Sequence, residues 1–265
     1  MTERATPAWT TVVHAMAMPF RVALDEPASE SAARDAVAAF HAELEWADDV
    51  FSLWKDDSAV SRFNRGDLAL DDGPPELLEV LQACEWYRGA TGGAFDARGP
   101  EGIDPTGLVK GWAVARASRA LDAAASAWMV DASGDILVSG SRLDGSPWRV
   151  GIADPDVVGD PNGTATIDVV ELGDEHRALA TSGDAQRGAH IWDPATGEAA
   201  RHIVQASVIA KGLVDADVWA TAIVAGGIGA FESAAAYGVE ALAVLRRRDD
   251  DAYDSVSTHA WPSRI

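Results

Sequence analysis

The chain changes its hydrophobic rhythm several times. Residues 9–24, "WTTVVHAMAMPFRVAL", alternate like two short strands or a hairpin broken near Met18 and Pro19. From Ser29 the spacing becomes helical: Val37, Phe40, Leu44 and Ala47 share one face of a segment running to about Val50, with Ser29 or Ser31 placed to cap it. "FSLWKDDSAVSRFNRGD" is mixed and ends in turn residues, and "PPELLEVLQACEWYRGATGG" reads as a second helix, entered through Pro and left through Gly. The spacing predicts a third helix over Gly111 to Ala125, with Val114, Ala117 and Leu121 inward.

Beyond it the rhythm is mostly that of strands. "AWMVDASGDILVSG" is strand, turn, strand; "WRVGIADP", "TATIDVVEL" and "SVIA" continue the pattern, and "DPATG" is a turn. "LVDADVWATAIVAGG" reads as a helix that stops at paired glycines, followed by a helix near 228–237 and the strand "VEALAVLRR". The order is mixed, not strictly alternating, so the expected class is α+β, with helices packed on antiparallel sheets. Residues 1–248 read as one domain and 249–265 as a loose, polar tail.

Composition narrows the partners. Of 265 residues, 48% are hydrophobic and 24% charged, ordinary for a globular chain. The formal net charge of -21 argues against nucleic acid or an anionic membrane surface, both of which reward basic patches. A phosphate ligand would have to be held against that field by backbone N–H groups, a placed Lys or a bound cation. The one cysteine, Cys84, falls in a helical pattern and forms no disulfide framework. No signal peptide and no membrane-spanning run is read, so the expected compartment is the cytoplasm.

Five stretches gather small, polar and acidic residues between hydrophobic segments: "GGAFDARGP", "DPTGLVKG", "DASGDILVSG", "ATSGD…HIWDPATG" and "DADVWAT". Each has a local reading. Asp104-Pro105-Thr106-Gly107 is a turn with Lys110 solvated behind it, Ser133-Gly134 is a β-turn, and His190 is a half-buried imidazole. Asp217 and Thr221, one helical turn apart, share a hydrogen bond. The alternative treats them as one site, in which Asp217, Thr221 and a loop carbonyl such as that of Gly107 offer hard oxygens suited to Mg2+, and Lys110 neutralises a phosphate. The Walker loop, the Rossmann spacing, His-Glu-x-x-His and paired CxxC are all missing, which argues against those nucleotide folds and against zinc.

In this order the stretches resemble the ApbE family of FAD:protein FMN transferases, from about Val12 to Leu245. "SAVSRFNRG" is similar to its S-x-[LI]-S-R-F-N, "GGAFD" to G-x-F-D, and "DPTGLVKGWAVARA" to D-x-x-G-x-x-K-G-[YW]-A-x-[DER]-x-[AL]. "ASGDILVSG" is similar to [NL]-x-G-G-D-I-x-x-x-G. "ATSGD" with "HIWDPATG" resembles A-T-S-G-D and H-I-[IL]-D-P-x-T-G, and "DADVWATA" resembles A-D-x-x-A-T-A. The family's Met-Gly-Thr is here Met16-Ala17-Met18, and only seven residues separate Asp96 from Asp104, a trimmed insertion.

The resemblance implies a T-fold-like α+β architecture with FAD in a cleft beside Mg2+. It places Met16, Ala94, Phe95, Asp96, Asp104, Lys110 and Ile191 at FAD. Asp217 and Thr221, with the carbonyls of Gly107 and Ala220, stand at the metal. His190 stands at the catalytic base, and Asp193 and Asp184 are polar supports beside it. The implied reaction moves the FMN part of FAD to a Ser or Thr hydroxyl of a protein bearing a flavinylation motif, and AMP leaves. The alternatives are an FAD pyrophosphatase giving FMN and AMP, and a protein that binds FAD without turnover.

Overall fold

A computed structural model describes residues 9–99, 102–156, 165–183, 191–194, 196–200, 202–246 and 253–263. Its first hairpin pairs β1 (Trp9–Ala15) with β2 (Met18–Asp25), Ala15 opposite Met18. The reversal therefore falls on Met16-Ala17, earlier than the break expected at Met18-Pro19. Both turn residues have positive φ (48° and 58°), as a tight two-residue hairpin turn demands. Pro19 is tolerated because it precedes the point, Arg21, where β2 begins to pair on its other side.

Helix α1 (Glu30–Phe51) follows the expected face. Ser29 Oγ accepts the Ala32 N–H at 3.1 Å, and Val37, Phe40, Leu44 and Ala47 are buried. Each large side chain so buried contributes about 1.5–3 kcal/mol relative to exposure. Short helix α2 (Ala59–Asn64) starts the same way, from Ser58, within a stretch whose mixed pattern had suggested none. Helix α3 (Pro75–Ala90) enters through Pro74-Pro75 as expected. Strands β3 (Arg98–Gly99) and β4 (Gly102–Ile103) form a small ribbon, with Ile103 tied by both backbone groups to the Asn64 amide.

The third long helix departs from its expected bounds. Helix α4 spans Thr106–Ala117 and gives way to a 3-10 turn over Ser118–Ala123. Asp104 Oδ1 accepts both the N–H (3.0 Å) and the hydroxyl (2.6 Å) of Thr106. The Asp-Pro-Thr-Gly stretch is thus the helix start itself, and Gly107 and Lys110 lie inside the helix, not ahead of it.

Strands β5 (Ala127–Ala132), β6 (Asp135–Ser139), β7 (Trp148–Ala153), β8 (Thr166–Leu172), β9 (Ala178–Gly183) and β10 (Ile203–Ala210) come next. Helix α5 (Leu213–Ala234), β11 (Glu240–Arg246) and β12 (Tyr253–Ser257) follow them. The main sheet runs β1-β2-β5-β6-β9-β10-β11-β12, antiparallel throughout, with β7 and β8 paired separately. Its two faces are covered differently. α1, α4 and α5 pack on one; on the other, Trp148, Ile152, Val170 and Leu172 of the β7–β8 ribbon meet Ile136, Val138, Leu179 and Ile209. All eight residues of β10 are buried, as expected of a strand covered on both sides.

Two expectations are revised here. The tail is not loose over 253–263: β12 extends the sheet, and Trp261 enters the second core, where its indole N–H donates to the buried Asp168 at 2.8 Å. And one run, 213–237, is long and apolar enough to cross a bilayer by length and composition, although most of it is buried against the sheet with Asp217 inside. As expected, its helical course is interrupted at the paired glycines, where Gly227 takes φ 66°.

Candidate active site

Two helices and one strand end meet at a single point. α4 crosses α5 so closely at Gly111 that an added Cβ would lie 3.0 Å from the Leu213 carbonyl oxygen and 3.3 Å from Asp217. That contact brings Lys110 to Asp217 of α5, Nζ to Oδ1 3.5 Å. The third partner comes from the β5–β6 hairpin. Ser133 and Gly134 both have positive φ (57° and 103°), so the turn is two residues long and Asp135 is the first residue of β6. Its Oδ2 lies 2.6 Å from Lys110 Nζ.

Asp135 and Asp217 are both almost completely buried, so two desolvated carboxylates share one partly exposed ammonium. Burial, and then the Asp135 charge, push Asp217 up to about 7, against the pull of Lys110 and of the Gly111 N–H. The Gly111 N–H donates to Asp217 Oδ2 at 3.1 Å.

One turn on, Thr221 Oγ1 is 3.2 Å from Ser182 Oγ of β9. Gly107 faces it: an added Cβ would sit 3.2 Å from the Phe95 ring and 4.0 Å from the Thr221 methyl. Ala220, fully buried, lies within the regular part of α5. Among the described residues no three His, Cys, Asp or Glu side chains cluster as a metal centre. The donors available are the Asp217 carboxylate, the Thr221 hydroxyl and main-chain oxygens, with the Asp135 carboxylate held on Lys110 and the Ser182 hydroxyl on Thr221. Such a set is hard and sparse, and it fits Mg2+, which retains waters and shares its shell with phosphates.

Phe95 forms the next wall. Thr91 at the end of α3 accepts the Phe95 N–H at 3.0 Å, and the Phe95 ring meets Tyr87 edge-on at 6.4 Å. Tyr87 in turn donates to Asp215 at 2.6 Å, tying α3 to the first turn of α5. Ala94 packs on Gly226, where a Cβ would come within 2.6 Å of its own. Asp96 is engaged by Arg98 through two bonds of 2.9 and 2.8 Å, and the guanidinium holds its carboxyl below the usual range. Asp104 has the helix-starting role already described.

Met16 lies half-buried in its hairpin turn, packed against the main core. Ile191 is buried, and its carbonyl accepts the Ala200 N–H at 3.0 Å. Asp193 closes a tight turn: its carbonyl accepts the Gly197 N–H and its carboxylate the Thr196 hydroxyl at 3.1 Å. His190 and Asp184 lie outside the described residues.

Lys110, Asp217, Thr221, Gly107 and Phe95 are thus brought together, while Asp96, Asp104 and Asp193 satisfy their carboxylates locally. Two residues of the cluster, Asp135 and Ser182, were not singled out from sequence. Asp135 stands after a Ser-Gly pair that reads fully as a turn; its place at the Asp of the "ASGDILVSG" stretch marked the segment, but not the contact that this side chain makes. A cavity of about 420 Å³ between β1 and α1, lined by Trp9, Val13, Arg34 and His41 among others, touches none of these residues.

The chain matches the model of the ApbE family over residues 11–99 and 97–243. An FAD:protein FMN transferase from Vibrio cholerae is 32% identical over 131 residues, 46% of this chain and 37% of that protein. The one from Haemophilus influenzae is 28% identical, over 46% of this chain and 36% of its own length. The matched region therefore spans little more than a third of these relatives. In structure, the flavin transferase ApbE from Vibrio cholerae superposes with a TM-score of 0.78 at 22% identity, covering 95% of this chain and 97% of the other. The apo flavinyl transferase ApbE of Pseudomonas stutzeri gives 0.79 at 22%, covering 95% and 94%. At such identities the likeness establishes the fold.

Proposed function

We propose that this chain, which belongs to the ApbE family, transfers the FMN part of FAD to a Ser or Thr hydroxyl of an acceptor protein, with AMP as the leaving group. The observation that carries the reading is the convergence of Lys110, Asp217, Thr221, Gly107 and Phe95 at one point of the fold. An acidic chain has placed a lysine, a cation-seeking carboxylate and an aromatic wall side by side, as a flavin pyrophosphate would require.

Asp217 and Thr221, with the carbonyls of Gly107 and Ala220, would hold Mg2+, which when bound would offset charge on the pyrophosphate oxygens. Lys110, nearly in contact with Asp217, adds a second positive charge beside the same oxygens. Phe95 and Ala94, and by the family resemblance Met16 and Ile191, would face the flavin nucleotide. Asp104 fixes the start of α4 and with it the position of Gly107. The acceptor hydroxyl gives its proton to a base, His190 or the neighbouring Asp193, and attacks the FMN-side phosphorus. The bridging P–O bond breaks, AMP carries away the bridging oxygen, and the acceptor retains FMN as a phosphoester.

The test is a mass measurement. The protein is incubated with FAD, Mg2+ and a peptide containing Asp-x-x-x-Ser-Gly-Ala-[Ser/Thr]. A gain in peptide mass equal to an FMN residue is expected. AMP and FMN released without that gain would mean a pyrophosphatase, and FAD recovered intact with peptide unchanged would remove the enzymatic reading.

A further inference from the structure

We propose that Asp135 is the positioning residue of Lys110: its buried carboxylate keeps the ammonium at the site while a divalent cation occupies Asp217. The inference deepens the reading above and rests on its metal site.

The geometry is unequal in a useful way. Lys110 is 2.6 Å from Asp135 and 3.5 Å from Asp217, so it stands as the close partner of one carboxylate and the loose partner of the other. Asp135 is fixed at the root of β6 by the Ser133-Gly134 turn, whose Gly134 N–H is bonded to Asp131 and whose Ser133 hydroxyl donates to the Pro19 carbonyl. It is only 1% exposed, so water contributes little to its solvation, and the ammonium is its natural counter-charge. With Lys110 alone, a cation arriving at Asp217 would meet a like charge at short range and drive it off. With Asp135 in place, two carboxylates face one ammonium, so the charge of Lys110 is met without Asp217. A cation can then take Asp217 while Lys110 remains on Asp135, and both positive charges face the substrate.

The same cluster could be read as Asp135 ligating the metal directly, and a double-mutant cycle separates the two. In protein without FAD, calorimetric titration with Mg2+ should show Asp135→Asn binding about tenfold or more weakly, because the released ammonium now competes for Asp217. Turnover of Asp135→Asn should fall at least about tenfold with a smaller change in KM for FAD. In a Lys110→Met background the same substitution should change kcat less than about twofold. An equal loss in both backgrounds overturns the proposal, because Asp135 would then act independently of Lys110.

A measurement on the unaltered chain covers the case in which the variants do not fold. Reductive methylation of Lys110, followed by peptide mass spectrometry, should proceed at a rate that saturating Mg2+ changes less than about twofold. A many-fold rise means that the cation expels the lysine and Asp135 does not hold it. If the unaltered protein binds no Mg2+, the metal reading fails and takes this proposal with it. If it binds Mg2+ but Asp135→Asn binds equally well, only this proposal fails.

Discussion

Asp217 is opposed by its surroundings, and the opposition has a sign. Its folded value lies at about 7, above the ordinary 3.8. Between those values the folded chain holds a proton that the unfolded chain has released, so this group's contribution to stability falls as pH rises and levels off above about 7. Asp217→Asn removes that slope. In chelator-treated buffer, the stability of the variant relative to the unaltered chain should therefore increase from pH 5 to pH 8, read as the shift in urea midpoint. Gly111 makes the complementary point about space. A methyl there meets backbone, the Leu213 carbonyl, which cannot rotate away. Gly111→Ala should cost about 1–3 kcal/mol in denaturant unfolding by prising α4 from α5.

Among elements, the ease of reading differs for physical reasons. α1 was legible because its cap, its apolar face and its length agree. α4 was legible in existence but not in its start: Asp104 and Pro105 serve a turn and a helix N-terminus through the same short-range bonds, and sequence does not say which follows. β12 was missed because an edge strand with exposed side chains shows little alternation. Of the site, the α5 pair Asp217 and Thr221 could be seen from their spacing. Asp135 could not, because its meaning is a contact with a lysine on another element. The β1–β2 turn carries strain that the sequence did not announce, with a Met and an Ala where Asn-Gly is usual. Relieving half of it with Ala17→Gly should stabilise the protein by about 1 kcal/mol, measured by urea unfolding.

On the scale of the molecule, the main sheet divides two cores, and the second is the smaller. Trp261 is its plug, holding Asp168 from the end of the described chain. Trp261→Ala should therefore cost about 3 kcal/mol or more of unfolding free energy, since it opens a cavity and takes one donor from a buried carboxylate that keeps the Ser263 hydroxyl. It should do so without moving Lys110 or Asp217, which lie across the sheet, and an unchanged rate of Lys110 reductive methylation would check that separation.

The crossing of α4 and α5 joins residues 106 positions apart, Gly111 and Asp217. Synthesis proceeds from the first of these to the second. While α4 leaves the ribosome it has no α5 to cross, and Lys110 has no Asp217 to approach. The strands β9 and β10, which support α5, are also made late. The meeting point of Lys110, Asp217 and Thr221 therefore comes into being only near the end of translation, and nothing bound there can act as a template for the first half of the chain. Folding has to be carried that far by contacts that do not involve this meeting point, such as the apolar face of α1 and the pairing of the early strands.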